Sequence, residues 1–259
     1  MSLSFNQKTE IQDVLKKSLR NKFQNYNPEP AAMPFHTRLL GKDRLALFSF
    51  IHSLNTNFGT SIFEPVALVL VKNKYQIAKA QAIAGDSISE GAQFEIQKIM
   101  DSLMTAEATP NKPREIEIIR KVCQKGKVRK VKLTKVDIFL RNKEGEFFLF
   151  DLKSAKPNVG EFKGFKRTLL EWTAAILYSE PKAKINTIVA IPYNPYDPKP
   201  YMRWTMRGML DLNNELKVAE EFWDFLGGKG SYSDLLDCFE KVGIELRLEI
   251  DEYFRKFNR

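Results

Sequence analysis

Residues 135–158 read KVDIFLRNKEGEFFLFDLKSAKPN. Two apolar runs, VDIFL and EFFLFDL, flank a polar turn containing one glycine, which is the pattern of a β-hairpin. Three ionisable side chains interrupt it: Asp137, Asp151 and Lys153. Side chains two apart on a strand share a face, so Asp151 and Lys153 project together with Phe147 and Leu149 behind them, while Phe148, Phe150 and Leu152 take the other face. With the loop centred on Glu144, pairing sets Asp137 opposite Asp151, with Cβ atoms about 5 Å apart. A register shifted by one residue would remove that opposition. Opposed carboxylates repel each other unless a cation lies between them. Oxygen-only ligands favour Mg²⁺ over zinc, and Lys153 beside the ion would stabilise charge on a phosphate or position an attacking water. The competing reading is a strand end whose charges simply reach solvent.

Outward from the hairpin, the charge is uneven. The chain of 259 residues has a formal net charge of +9, and Arg120–Lys135 holds eight basic residues and no acidic one. The remainder is near neutral. Such a stretch beside a carboxylate-bearing hairpin points to a polyanionic partner, with nucleic acid first among the candidates, or else to a solvated lysine-rich strand and turn. A 43% hydrophobic composition supports a sizeable core, and 13 glycines with 12 prolines in 259 residues argue against a fibrous or disordered chain. No apolar run is long enough to span a membrane and the N-terminal MSLSFNQKTEIQ is polar, so the expected location is the cytoplasm, with no membrane partner. Two cysteines, Cys123 and Cys238, are too few for a disulfide framework or a cysteine-rich zinc site.

Hydrophobic spacing predicts helices over residues 8–25, about 43–55, about 62–80 with an interruption near 72–75, and 88–104, the last with Asp86 or Ser87 as N-cap. From Arg114 alternation predicts strands in REIEIIRKVC, KVRKVKLTKVDIFL and EFFLFDLKS. A helix follows over 161–178, then a buried β-branched strand in KINTIVAIPY, a proline-rich loop and C-terminal helices broken at LGGKGS. GDSIS at 85–89 lacks a downstream histidine for a serine-hydrolase triad and reads as a helix cap. LGGKGS lacks P-loop spacing and reads as a turn. His52 lies four residues from Phe48 and reads as a buried or boundary histidine.

Asp137 followed by Asp151-Leu152-Lys153, in strands preceded by a helix and followed by a helix and a strand, resembles the PD-(D/E)xK nuclease core, with Val136 where the motif has proline. The resemblance implies an α/β fold: an αβββαβ restriction-endonuclease-like core, a mixed central sheet flanked by helices, with additional N- and C-terminal helices. The expected organisation is a single nuclease domain over 1–259, with a helical part at 1–85, the catalytic core at 86–192, and the proline-rich loop and C-terminal helices at 193–259. The blocks SIFEPVALVL, FFLFDLKSAKPN, VAIPYNPYDPKPYMRW and EEFWDFLGGKGSYSDLL further resemble the TdeIII group of type II restriction endonucleases. That likeness implies a homodimer cutting double-stranded DNA at a short palindrome of the GGNCC type, with Mg²⁺, 5′-phosphate and 3′-hydroxyl ends, and a cognate DNA methyltransferase as functional partner. Asp137 and Asp151 are then the metal ligands and Lys153 the catalytic lysine. A glutamate on the helix before the sheet often supports such a site, which favours Glu95, with Glu90 or Glu64 in reserve.

Backbone grip and base reading need different residues. Lys127, Arg129, Lys130 and Lys132 are expected at phosphates. Arg203 and Arg207, then Arg141 or Lys143 at the hairpin tip, are the candidates for guanine edges, because Arg and Lys engage both O6 and N7. Tyr196, Tyr201 and Trp204 would alternatively pack the proline-rich loop onto the core. Asn158 and Lys163 follow the metal motif and are placed to touch the scissile backbone. Two other functions remain compatible with the residues: a DNA-binding protein that does not cleave, and a nuclease of the same core acting in repair or on structured DNA.

Overall fold

A computed structural model describes residues 3–26, 33–202 and 204–256. The N-terminal segment is helical: α1 (Phe5–Asn25), α2 (Pro34–Leu40), α3 (Lys42–Phe58), one π-helical turn at Gly59–Phe63 and α4 (Glu64–Val71). A capping box starts α1, in which the Ser4 hydroxyl accepts from the Gln7 N–H and Gln7 Oε1 accepts from the Ser4 N–H. Next come β1 (Ile77–Ala82), β2 (Ser87–Ser89), α5 (Glu90–Met104), α6 (Lys112–Arg120), β3 (Val128–Lys130), β4 (Val136–Arg141) and β5 (Phe147–Leu152). The chain continues through α7 (Phe162–Ser179), β6 (Ile185–Ile191), β7 (Leu216–Val218), α8 (Glu220–Gly227), α9 (Ser231–Glu245) and α10 (Arg247–Arg255). Two compact units result, one from Val71 to Phe225 and one from the residues up to Leu70 with those from Leu226 onward.

In the helical unit α1 packs on α9, with Lys8 Nζ 2.6 Å from Asp234 Oδ1. Phe23, Phe50, Tyr253 and Phe254 form an aromatic cluster with ring centroids 5.0–5.8 Å apart. His52 is exposed and stacks on Phe48 at 6.0 Å, rather than lying at a buried boundary.

The other unit is built on a five-stranded sheet in the order β1-β4-β5-β6-β7. β1, β4 and β5 are antiparallel neighbours, whereas β6 and β7 run parallel to β5, the β5–β6 connection passing through α7. One face, including Phe139, Phe147, Leu149 and Val189, shares a core with Leu169, Leu170 and Trp172 of α7. On the other face Phe150 meets Phe222 and Phe225 at 5.5 and 5.6 Å. Charge is also buried here. Lys166 of α7 is fully enclosed, its Nζ 2.5 Å from Glu115 Oε2 and 2.7 Å from Glu215 Oε2, and Lys112 Nζ stands 3.2 Å from Glu215 Oε1. Two cations and two anions balance, which is what makes such burial tolerable.

Four further sequence expectations need correction. REIEIIRKVC is no strand: Asn111 caps α6 by accepting from the Arg114 N–H, and Pro113 sits in its first turn. The buried positions of α6 are Lys112, Glu115 and Ile119, so a helical stripe that is two-thirds charged hid its period. The helix expected to reach residue 80 ends at Val71, and IAKAQA becomes β1 because pairing with β4 overrides the helix preference of its alanines. The third strand of the sheet is thus β1, and the long alternating run KVRKVKLTKVDIFL divides into β3 and β4, which lie in separate sheets. Finally, Ser89 rather than Asp86 or Ser87 caps α5, its hydroxyl accepting from the Ala92 N–H at 3.1 Å.

Candidate active site

The β4–β5 register pairs Ile138 with Phe150 and Phe139 with Leu149. Continued by one residue, it sets Asp137 against Asp151, as a loop centred on Glu144 requires. Each aspartate lies one residue inside a strand end, Asp137 after Val136 of β4 and Asp151 before Leu152 of β5. Gln81 of β1 donates through Nε2 to Asp137 Oδ1 at 3.0 Å, and the Leu152 N–H donates to Asp137 Oδ2 at 2.7 Å. Lys153 is anchored by its own N–H, which donates to the Ala190 carbonyl of β6 at 3.0 Å. Its Nζ donates to Asp151 Oδ1 at 2.5 Å and lies 4.9 Å from the centre of the Phe165 ring, a cation–π contact.

Burial shapes the electrostatics. Asp151 is 2% exposed, and desolvation pushes its carboxyl up to about 6 against the opposing pull of Lys153, with the neighbouring Asp137 charge adding to the rise. Desolvation also raises the Asp137 carboxyl, partly offset by the Leu152 N–H, Lys153 and Gln81. With both carboxylates ionised, the two aspartates and Lys153 together carry a net charge of −1. The donor set is oxygen-only. Among the described residues no group of three His, Cys, Asp or Glu side chains is placed to hold an ion. One or two carboxylates suffice for Mg²⁺, which keeps several waters and takes its remaining ligands from substrate phosphate.

The other expected residues are dispersed. Glu95 lines a cavity of about 320 Å³ with Ile99, Asn111 and Arg114, between α5 and α6. Glu90 is ion-paired with Arg129 at 3.1 Å, and Glu64 is buried at the start of α4 in the helical unit. Lys127, Arg129, Lys130 and Lys132 are all exposed on and around β3, with Lys130 Nζ 3.3 Å from Asp86 Oδ2. Arg141, about 13 Å from Asp137 along β4, and Lys143 in the turn beyond it lie at the opposite end of the hairpin from the aspartates. Arg141 is held there by Glu180 at 2.8 Å and by the Phe147 ring. Asn158 and Lys163 are exposed just beyond the DLK triplet, the Asn158 N–H donating to Glu161 Oε2. Arg207 is exposed on a 3₁₀ turn, and Arg203 lies outside the described residues. The proline-rich loop packs on the segment after β5, with the Tyr201 hydroxyl donating to the Ala155 carbonyl at 3.1 Å and Lys156 over the Tyr196 ring.

Sequence reading misses Gln81, which lies one residue beyond the helix expected over about 62–80 and inside β1. Its only sequence signal is two-residue alternation in QIAKAQA, which an alanine-rich composition obscures.

A family model described as type II restriction endonuclease, HinfI, matches residues 3–243. The chain belongs to this family. Its members are nucleases that act on DNA, and type II restriction endonucleases generally use divalent metal ions. Similar curated proteins are type II restriction enzymes as well. That of Methanocaldococcus jannaschii, MjaII, is 26% identical over 272 residues, covering 93% of this chain and 72% of the relative. Two from Herpetosiphon aurantiacus, HgiBI and HgiEI, are 22% and 24% identical, over 91% and 85% of this chain and 88% and 80% of their own lengths. The family match spans both compact units. Within this HinfI-type endonuclease, Asp151 and Lys153 bring a carboxylate and an ammonium together, with Asp137 opposite on β4. Among the described residues, no helix is long and apolar enough to cross a membrane.

Proposed function

We propose that the chain is a Mg²⁺-dependent type II restriction endonuclease of the PD-(D/E)xK kind, cleaving double-stranded DNA at a short palindrome of the GGNCC type. The observation that carries this reading is the opposition of Asp137 and Asp151 with Lys153 on Asp151. Chain order supports it too: α4, β1, β4, β5, α7 and β6 follow one another as αβββαβ once β2, α5, α6 and β3 are taken as an insertion after β1. Glu90 and Glu95 stand in that insertion and Glu64 stands at the start of α4; the proposal rests on the aspartate pair.

Asp137 and Asp151 would hold the ion. When bound, Mg²⁺ would lower the pKa of a coordinated water and take up charge on the phosphate oxygens. Lys153, kept in place by the Ala190 carbonyl and Asp151, puts its ammonium beside the phosphate, where negative charge grows as water oxygen bonds to phosphorus. The attacking water gives up a proton to solvent, the bond from phosphorus to the 3′ oxygen breaks, and that oxygen takes a proton from solvent water, leaving a 5′-phosphate and a 3′-hydroxyl. The basic β3 region supplies phosphate contacts, with Asn158 and Lys163 closer to the scissile bond. Arg207, with Arg203, is assigned to guanine edges ahead of Arg141 and Lys143, which lie at the far end of the hairpin. One site per strand of a symmetric target calls for a homodimer. Host DNA in the same cytoplasm calls for a cognate methyltransferase.

Digestion of unmethylated phage DNA with Mg²⁺, followed by sequencing of the fragment ends, tests the reading. Ends at GGNCC support it in full, and ends at another palindrome remove only the GGNCC assignment. Heterogeneous ends, or cutting confined to branched or gapped DNA, favour a repair nuclease. DNA that is bound and left intact under every divalent metal favours a non-cleaving binder.

A further inference from the structure

We propose that Gln81 is a positioning residue for divalent-cation binding, holding the Asp137 carboxylate in the orientation the ion needs; this rests on the reading of Asp137 and Asp151 as cation ligands. The β1–β4 register pairs Ala80 with Ile138 and Ala82 with Val136, so Gln81 and Asp137 face each other from adjacent strands. An ionised carboxylate only accepts hydrogen bonds, so the amide nitrogen must be the end of Gln81 that meets it, at 3.0 Å. With the Leu152 N–H on the second oxygen at 2.7 Å, each Asp137 oxygen has one neutral donor. A carboxylate has about four lone-pair sites. Two donors fix its plane and leave the others open to a cation.

The residue type suits this role. A lysine at this place would neutralise Asp137 and compete with the ion, and a glutamate would add repulsion to a cluster in which two carboxylates already face one ammonium. A neutral amide donor orients the carboxylate without either effect. The backbone gives an independent sign. Gln81 has φ +51°, in the left-handed region that glycine and asparagine adopt far more readily. A position serving only the strand would be better filled by glycine, and the side chain glycine lacks is the one that reaches Asp137. Strain held against a side chain of the site is how functional positions commonly reveal themselves.

The test is a Mn²⁺ titration of the full, metal-free chain, with free Mn²⁺ read by electron paramagnetic resonance and thermal unfolding measured in parallel. Wild type, Asp151→Ala and Gln81→Gly are compared. Loss of a residue that orients a ligand weakens metal affinity about 10- to 100-fold, so Gln81→Gly should bind Mn²⁺ that much more weakly. Its unfolding temperature should stay the same or rise, because glycine relieves the backbone. The Mg²⁺ concentration for half-maximal DNA cleavage should move by the same factor. Gln81→Asn, which accepts the left-handed backbone but is one methylene too short, should behave alike and serves if the glycine variant does not fold. Gln81 variants that bind Mn²⁺ as wild type does, while Asp151→Ala loses it, overturn the role of Gln81 alone. A wild-type chain that binds no more Mn²⁺ than Asp151→Ala overturns the cation site and this inference with it.

Discussion

Replacing Asp151 by asparagine removes a charge that the folded chain holds at a cost, and the size of that cost follows from the structure. The Asp151 carboxyl has its pKa raised by burial to about 6, from an ordinary 3.8. A group whose folded pKa is raised contributes its stability below the unfolded value, loses it as pH climbs through the folded value, and stays unfavourable above that. The window here runs from about pH 4 to pH 6. A shift of roughly two units corresponds to about 3 kcal/mol, with the Lys153 attraction and the Asp137 repulsion already included. Asparagine has the same shape and no charge to desolvate. Its amide hydrogens need acceptors that the carboxylate did not, which takes back part of the gain, so Asp151→Asn should be about 1–3 kcal/mol more stable at pH 8 without divalent metal. For a chain of this size that is an unfolding temperature higher by about 2–4 °C per kcal/mol. At pH 4, where wild-type Asp151 is largely protonated, the difference should shrink towards zero. With Mg²⁺ at about a hundred times its dissociation constant, wild type should gain about 2.7 kcal/mol and the variant nothing, closing or reversing the order. Scanning calorimetry at pH 4, 6 and 8, with EDTA or Mg²⁺, reads all of this. A stability difference that does not change with pH, or a variant less stable at pH 8 than wild type, would refute the electrostatic reasoning.

Exchanging Lys127, Arg129, Lys130 and Lys132 together for serine should weaken DNA binding on all sequences. The slope of log affinity against log salt should become shallower by about 0.9 for each phosphate the protein no longer neutralises, as measured by fluorescence anisotropy across a salt series. Lys166→Met, which leaves Glu115 and Glu215 buried without their shared cation, should cost about 3–5 kcal/mol in denaturant unfolding without touching the aspartate pair.

The hairpin was legible because its signals agree: two apolar runs, a glycine-bearing turn and a two-residue period placed Asp137 opposite Asp151, and β4 and β5 pair in that register. The helix over 161–178 and the strand in KINTIVAIPY were legible for the same reason, appearing as α7 and β6. What escaped was structure whose local pattern opposes its tertiary role. The buried stripe of α6 carries Lys112 and Glu115, whose partners lie on α7 and before β7, and no local window reports them. β1 is alanine-rich and owes its conformation to β4. With most of β1 inside the helix expected from spacing, nothing in the sequence sets Gln81 beside Asp137. β7 is three residues long and, among the described residues, paired at its β6 side alone, too short to show a period. Charge patterning located the exposed cations around β3 but did not foretell that Arg129 and Lys130 would be partnered by Glu90 and Asp86.

The measurement that bears most directly on the aspartate pair and Lys153 is cleavage of unmethylated DNA by wild type, Asp151→Ala and Lys153→Ala, each with Mg²⁺ or EDTA, with binding of the same DNA measured in parallel. The account predicts discrete fragments from wild type with Mg²⁺ alone, and none from either variant although both still bind. Cleavage that survives in EDTA, or that either variant retains at the wild-type rate, would contradict it.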